Sequence, residues 1–260
     1  MKNHLVLTTM SATAAAAGGS AAAALAGDSL AVRNYGMEPK LITIWDTHQT
    51  AGFAQLAFPT GHDTTRGWRC GAPAADTVIQ LPLGDRIPIT PQETITGTIA
   101  ATAVAGDVEQ TSWLTLYDVD KGQRLIDWQE CSKRLDKVTT IEASLVSSAG
   151  PAYSGTALIN AGSDLLIANR NYALLGFTSR TRVHLIGITG PDTGNDRIAS
   201  PGTLRYEVGS QFFKLLSNAH GIPLIPVINS GNKGSTNFFV ATDENAGTFV
   251  CTAHLVLLKE

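Results

Sequence analysis

Polar and hydrophobic residues alternate with a two-residue period along most of the chain from residue 41 onward. Thr94 and Thr96, for example, would lie on one side of a sheet, and Ile95 would lie on the other. These runs are rich in β-branched and aromatic residues, and turn residues separate them. They predict strands at residues 41–45, 53–58, 77–83, 94–104, 111–119, 138–146, 172–177, 183–189, 223–228, 237–242 and 248–258. Many short strands that follow one another directly predict a mainly β fold, an antiparallel β-sandwich.

The spacing of hydrophobic residues changes to the helical period at two places inside this β pattern. Residues 127–137 begin with Asp127 and with Glu130 three positions later, which is the spacing of a capping box. The second short helix is expected to start after Ser210 as its N-cap and to end at Gly221. Its apolar face is predicted to consist of Phe212, Leu215, Leu216 and Ala219.

Small residues dominate the N-terminal part of the chain, where ten of residues 11–27 are alanine. Alanine is the strongest helix former, so this stretch predicts a helical arm. The stretch imitates a secretory signal, but hydroxyl residues interrupt it, and it is too short and too weakly apolar for a transmembrane helix. We therefore expect an arm over residues 1–40 and a β-sandwich body over 41–260. The body is either one elaborated sandwich or two halves that meet near residue 150.

Charged residues make up only 16% of the 260-residue chain, and the formal net charge is −3. Soluble domains usually contain roughly 25% charged residues. The balance excludes a polyanion-binding tail and a disordered acidic protein. It leaves a largely neutral surface, which is either solvated by hydroxyl and amide groups or covered by other subunits. Residues 1–40 carry three basic and two acidic residues, so the arm is not expected to bind nucleic acid strongly.

Two loop motifs suggest chemistry, but their context favours turns. Asp192 lies in an Asp-Thr-Gly triplet like that of aspartic proteases, which need two such carboxylates, whereas this chain has one copy after Gly-Pro. A turn in which Asp192 caps nearby amides is the expected structure. The glycines, lysine and hydroxyl residues of 231–236 lack the order of a phosphate-binding loop and predict a hairpin loop.

No residues with the spacing of a metal or cofactor site occur in the sequence. The six histidines form no pair at metal-binding spacing, and His184 and His254 are expected to be hydrogen-bonded sheet residues. The three cysteines are widely spaced and odd in number, which predicts free buried thiols. We expect no enzymatic activity, no cofactor and no metal ion.

The densest basic stretch, residues 170–182, is a weak candidate for nucleic-acid contact. Its cations are Arg170, Arg180 and Arg182, and the last two would share one strand face. A sheet edge protected by arginine is the alternative interpretation.

The strand-rich body, the helices inserted before strands and the long loops 190–202 and 228–236 together resemble a viral or phage coat protein of the jelly-roll type. This resemblance implies a capsid subunit that assembles in the host cytoplasm, resides in the virion, and contacts copies of itself and other virion proteins. Subunit contacts would involve the 11–27 arm and the long loops. The candidate interface residues are Ala14, Ala17, Ala22, Leu25, Asp192, Asn195, Asn232 and Lys233.

A β-sandwich module that binds carbohydrate or another ligand is the alternative function. Aromatic rings can stack on sugars, and the candidates for such stacking are Trp45, Trp68, Trp113 and Trp128.

Overall fold

The computed structural model divides the chain into two compact units, residues 1–122 and 123–260. This boundary lies earlier in the chain than residue 150, where one of the two alternatives from the sequence placed a division. The structure describes residues 4–15, 29–31, 40–48, 52–57, 68–72, 77–88, 90, 93–100, 108–119, 124–147, 152–158, 166–181, 183, 185–202, 204–242 and 247–260.

The first unit contains two antiparallel four-stranded sheets, with strand orders β1-β8-β3-β6 and β2-β7-β4-β5. Its strands are β1 (His4–Ala15), β2 (Ser29–Ala31), β3 (Lys40–His48), β4 (Gly52–Ala57), β5 (Trp68–Ala72), β6 (Thr77–Pro88), β7 (Thr94–Ala100) and β8 (Val108–Val119).

Strand β1 replaces the first part of the predicted helical arm. It pairs with β8 in an unbroken register from His4 opposite Val119 to Ala15 opposite Val108. A full ladder of interstrand hydrogen bonds outweighs the modest helix propensity of alanine, which tertiary context often overrides. The helical prediction is therefore wrong for residues 11–15, and residues 16–28 lie outside the described residues.

The second unit combines a five-stranded sheet, in the order β10-β17-β12-β15-β9, with a four-stranded sheet, in the order β11-β16-β13-β14. All described pairings are antiparallel. The strands are β9 (Leu125–Ile126), β10 (Leu135–Ser147), β11 (Ala152–Leu158), β12 (Asn171–Ser179), β13 (Leu185–Thr189), β14 (Ile198–Pro201), β15 (Ile225–Asn229), β16 (Asn237–Thr242) and β17 (Gly247–Leu258). The helices are α1 (Trp128–Arg134), α2 (Tyr206–Gly209) and α3 (Phe212–His220), with 3-10 turns at Pro191–Thr193 and Ser230–Asn232.

Each of the eleven predicted strands overlaps a strand of the structure, so the mainly β, antiparallel prediction is confirmed. The alternation of hydrophobic and polar residues in the sequence corresponds to an alternation of buried and exposed side chains. In β10, Ile141, Ala143 and Leu145 are buried, and the residues between them are exposed. One face of the five-stranded sheet therefore lies against the core, as in a β-sandwich.

The core of the second unit joins both sheets and a helix through aromatic rings. Phe177 of β12 makes edge-to-face contacts with Phe238 of β16 and with Phe213 of α3, with both centroid distances at 6.1 Å. All three side chains are almost completely buried. Burial of these rings supplies much of the hydrophobic stabilisation that holds the two sheets together.

Helix α1 begins as predicted, because the Asp127 side chain accepts a hydrogen bond from the Glu130 amide at 2.7 Å. It ends at Arg134, three residues earlier than expected, because Leu135 already has extended backbone and starts β10.

The second predicted helix is divided into α2 and α3, so Ser210 ends α2 instead of capping α3. The predicted apolar face is also wrong in part, because Leu215 is 43% exposed and Ala219 is exposed. The buried face is formed by Phe212, Phe213, Leu216 and Ser217. These residues form two i, i+4 pairs, and Phe213 among them packs on Phe177 of β12. The predicted end is confirmed: Gly221 adopts a left-handed φ of 65°.

Candidate interaction surfaces

The outer face of the five-stranded sheet, pointing away from the core, carries a polar cluster on β10, β17 and β12. The strand register places Glu142 opposite Thr252, and Thr252 opposite Thr178 on the next strand. Arg180, just after β12, reaches across to Glu142, with 2.7 Å between Nη2 and Oε1. The Thr252 hydroxyl donates to the same Oε1 at 3.4 Å. Because this ion pair is exposed, its contribution to stability is small, but it neutralises the Glu142 carboxylate on the sheet surface.

His254 occupies the neighbouring position on the same face. Its Nε2 lies 2.9 Å from the Thr178 hydroxyl, and the Tyr206 ring contacts the imidazole edge-to-face at 5.5 Å. The prediction that His254 is a hydrogen-bonded sheet residue is confirmed. Helix α2 can approach this face because Gly176, opposite His254, has no side chain: a Cβ there would lie 2.1 Å from the Gly209 carbonyl oxygen.

Burial lowers the pKa of His254 below its ordinary value of 6.5. The unfolded chain therefore binds this proton more readily than the folded chain does, so stability should fall as the pH drops through about 6.5. We expect the urea midpoint to fall between pH 7.5 and pH 5.5, and we expect His254→Gln to reduce that fall. Equal pH dependence in both proteins would contradict the burial of a neutral imidazole.

A second cluster lies where the two long loops meet, and Asp192 is at its centre. The Asp192 carboxylate accepts two hydrogen bonds, both at 3.0 Å. The main-chain amide of Asn229 donates to Oδ2, and the side-chain Nδ2 of Asn232 donates to Oδ1. Asp192 thus ties the loop after β13 to the loop after β15. The predicted turn is present as the 3-10 turn Pro191–Thr193, and Asp192 caps amides as predicted, but these amides belong to the other long loop and not to its own turn. Within the turn itself, the Thr193 hydroxyl accepts a hydrogen bond from the Gly190 amide at 3.1 Å and donates to the Gly190 and Asp196 carbonyl oxygens.

The same cluster continues through Asn229 towards β12. The Asn229 side chain accepts from the Gly231 amide at 2.7 Å and donates to Asn171 Oδ1 at 3.0 Å. Arg124 Nη1 donates to the same Asn171 oxygen at 2.9 Å. The predicted hairpin loop at 231–236 is instead a connection between sheets, because β15 and β16 belong to different sheets. Several side-chain hydrogen bonds therefore hold this loop in one conformation.

Of the predicted interface residues, the structure brings Asp192 and Asn232 into direct contact. Asn195 lies in the same loop with a φ of 64°, and its carbonyl accepts from the Thr189 hydroxyl. Lys233 follows the 3-10 turn and donates its amide to the Ser230 carbonyl. Ala14 lies in β1. Ala17, Ala22 and Leu25 lie outside the described residues.

The predicted basic patch is not assembled among the described residues. Arg170 precedes β12 and Arg180 follows it, so the two lie at opposite ends of the strand. Arg170 pairs with the Glu260 carboxylate at 3.2 Å, and Arg180 pairs with Glu142. Arg182 lies outside the described residues. Contact of these arginines with nucleic acid stays a prediction.

Cys131 and Cys251 are free, buried thiols, as predicted. Burial raises the pKa of Cys131 to about 11 and that of Cys251 to about 12, which keeps both thiols protonated and unreactive at neutral pH. Among the described residues, no group of three or more His, Cys, Asp or Glu side chains is placed to hold a metal ion. Within the same residues, no helix has the length and hydropathy needed to span a membrane.

Sequence reasoning missed the cluster of Glu142, Arg180, Thr178 and Tyr206 around His254. Thr178 and His254 are 76 residues apart in the chain, and Glu142 and Arg180 are 38 apart. Only the strand register brings such residues together. The alternation within each strand would have indicated their common outer face, had the strand order been known.

Comparison with solved structures gives faint similarities, which include the following two. The PBSX exported protein XepA aligns with 97% of this chain and 86% of its own, at 8% identity and a TM-score of 0.29. The major capsid protein P2 from bacteriophage PM2 aligns with 98% of both chains, at 7% identity and a TM-score of 0.21. Neither similarity establishes a shared fold. No protein-family model and no curated protein sequence matches the chain.

Proposed function

We propose that this protein is a self-assembling structural protein, a coat subunit of jelly-roll type in a viral shell, and that it is not an enzyme. The observation that carries the proposal is the loop surface built around Asp192, which joins the two long loops. These are the loops that were expected from the sequence to make subunit contacts.

Preorganisation is the physical reason that this loop surface suits assembly. A loop that is ordered before contact loses less conformational entropy when a second subunit binds, so more of the contact energy remains as affinity. Both Asp192 oxygens accept hydrogen bonds from amide groups. The loops thus present amide and hydroxyl groups around a carboxylate that is already hydrogen-bonded, in keeping with a chain of only 16% charged residues. A surface of this kind is buried against another copy at a smaller desolvation penalty than a surface of unpaired charges.

The full chain, purified and examined by size-exclusion chromatography with light scattering and by negative-stain electron microscopy, tests this proposal. We expect large, regular assemblies at micromolar concentration. A stable monomer under all conditions of ionic strength and protein concentration would contradict a shell-forming role.

Binding of a carbohydrate is the second candidate function, and one observation favours it. The Tyr206 ring is 64% exposed beside His254 on the outer face, where an aromatic ring and polar groups could contact a sugar. Trp128 is less suited to stacking, because Lys214 Nζ already lies 4.3 Å from its ring centroid. A glycan array probed with the purified chain and with Tyr206→Ala would test this function. Binding to a glycan class that the substitution abolishes would support it.

A further inference from the structure

Among the described residues, strand β10 stands at one edge of the five-stranded sheet. It is 13 residues long, stands first in the strand order, and has β17 as its one strand partner within the part of the chain that the structure describes. An edge strand presents a row of backbone N–H and C=O groups that can pair with another strand. Such an edge is a template for addition of a strand from a second chain.

The outward-facing residues of β10 form a chemical pattern that is symmetric about Glu142. Its consecutive residues are Val138, Thr140, Glu142, Ser144 and Val146, so an apolar and a hydroxyl side chain lie on each side of a central acid. The two valines are 73% and 72% exposed, so both side chains are accessible to contact with another chain. The symmetry of the pattern points to a second copy of this chain as the partner.

We infer that two copies of the protein pair antiparallel through β10, with the two-fold axis at Glu142, so that their five-stranded sheets become continuous. This inference rests on the proposed function only in taking a second copy as the partner. In this register Val138 lies opposite Val146 of the second copy, and Thr140 lies opposite Ser144 of the second copy. Each pair occurs twice, as a two-fold axis requires. Apolar and hydroxyl pairs directly opposite each other stabilise antiparallel strands.

The charged side chains of Glu142 and Arg180 fit the same register. The two Glu142 side chains would face each other across the axis, and like charges in that position are destabilising. Each carboxylate, however, is paired with Arg180 of its own chain at 2.7 Å. The centre of the contact therefore contains two acids and two bases and has no net charge.

Cross-linking between two variants that carry a cysteine at different positions of β10 tests the register. Val138→Cys and Val146→Cys each alter an exposed side chain, so both variants should fold like the unaltered chain, as circular dichroism can verify. We expect a short bismaleimide to give a covalent dimer when the two variants are mixed. Each variant alone should give none, because two copies of residue 138 would lie about 27 Å apart, eight residues along the strand. The unaltered chain, treated with the same reagent, measures any cross-linking through the native cysteines.

The outcomes separate this inference from the proposed function. Assemblies without a cross-link in the mixture would overturn pairing through β10 and leave the structural role intact, and a monomer would overturn both. Efficient cross-linking of one variant alone would indicate another register and would also overturn the inference. A cross-linked dimer that forms no larger particle would support the inference and contradict a shell.

The charge pair gives a second readout. Arg180→Gln leaves two unpaired Glu142 carboxylates facing each other, so we expect the dimer dissociation constant to rise about fivefold. The double variant Arg180→Gln with Glu142→Gln should restore it. An Arg180→Gln dimer as tight as that of the unaltered chain would contradict the placement of Glu142 at the axis.

Discussion

Replacing Phe177 by Ala should lower the free energy of unfolding of the second unit by about 3–5 kcal/mol. The side chain is 1% exposed and contacts Phe238 of the four-stranded sheet and Phe213 of α3. Its removal would leave a cavity between the two sheets and α3, and the surrounding strands are too constrained by their hydrogen bonds to collapse into it. Urea denaturation followed by circular dichroism would measure the change in midpoint.

Two further substitutions provide the controls for this result. Phe177→Leu keeps most of the apolar volume and should lose clearly less stability than Phe177→Ala. Leu215→Ala removes an apolar side chain that is 43% exposed on α3, and its effect should be the smallest of the three. Equal losses for Phe177→Ala and Leu215→Ala would contradict the central position of Phe177.

The strands of this protein were predictable because each one carries its own signal. The alternation over 138–146 anticipates the buried Ile141, Ala143 and Leu145 and the exposed Glu142 and Ser144 between them. The N-terminal strand was missed because its pairing with β8 depends on residues about a hundred positions away. Alanine content, a local signal, predicted a helix there instead.

The candidate surfaces show the same division between local and distant information. Asp192 and Asn232 were identified as turn residues from local chemistry, but their contact joins two loops that are 40 residues apart. The buried face of α3 differs from the predicted face because the helix starts at Phe212, after a break that the hydrophobic spacing does not reveal. Spacing gives the period of a helix, whereas the packing partner decides which residues become buried.

Replacing Asp192 by Ala should cost about 2–4 kcal/mol of folding stability and should also abolish assembly. The substitution removes two hydrogen bonds to a charged acceptor, each worth about 1.5–3 kcal/mol, and the net loss is smaller than their sum because Asp192 is only half-buried and water replaces part of them. It also leaves the Asn229 amide and the Asn232 side chain without their shared partner, so the two long loops would no longer be held together. Urea denaturation would measure the stability, and light scattering with electron microscopy would measure the assemblies.

Asp192→Asn and Asp136→Asn separate the loop contact from a general effect of charge. Asn at position 192 keeps one acceptor oxygen but turns an amide donor towards a second donor, so it should lose about half as much stability as Asp192→Ala. Asp136 is exposed at the start of β10, before the stretch 138–146 that we infer to pair between copies, and Asp136→Asn changes the net charge equally without touching the loops. If Asp192→Ala remained folded and formed normal particles, the loops would not be subunit contacts. Loss of particles in both Asp192 variants, with normal particles from Asp136→Asn, would place the joined loops at the interface between subunits.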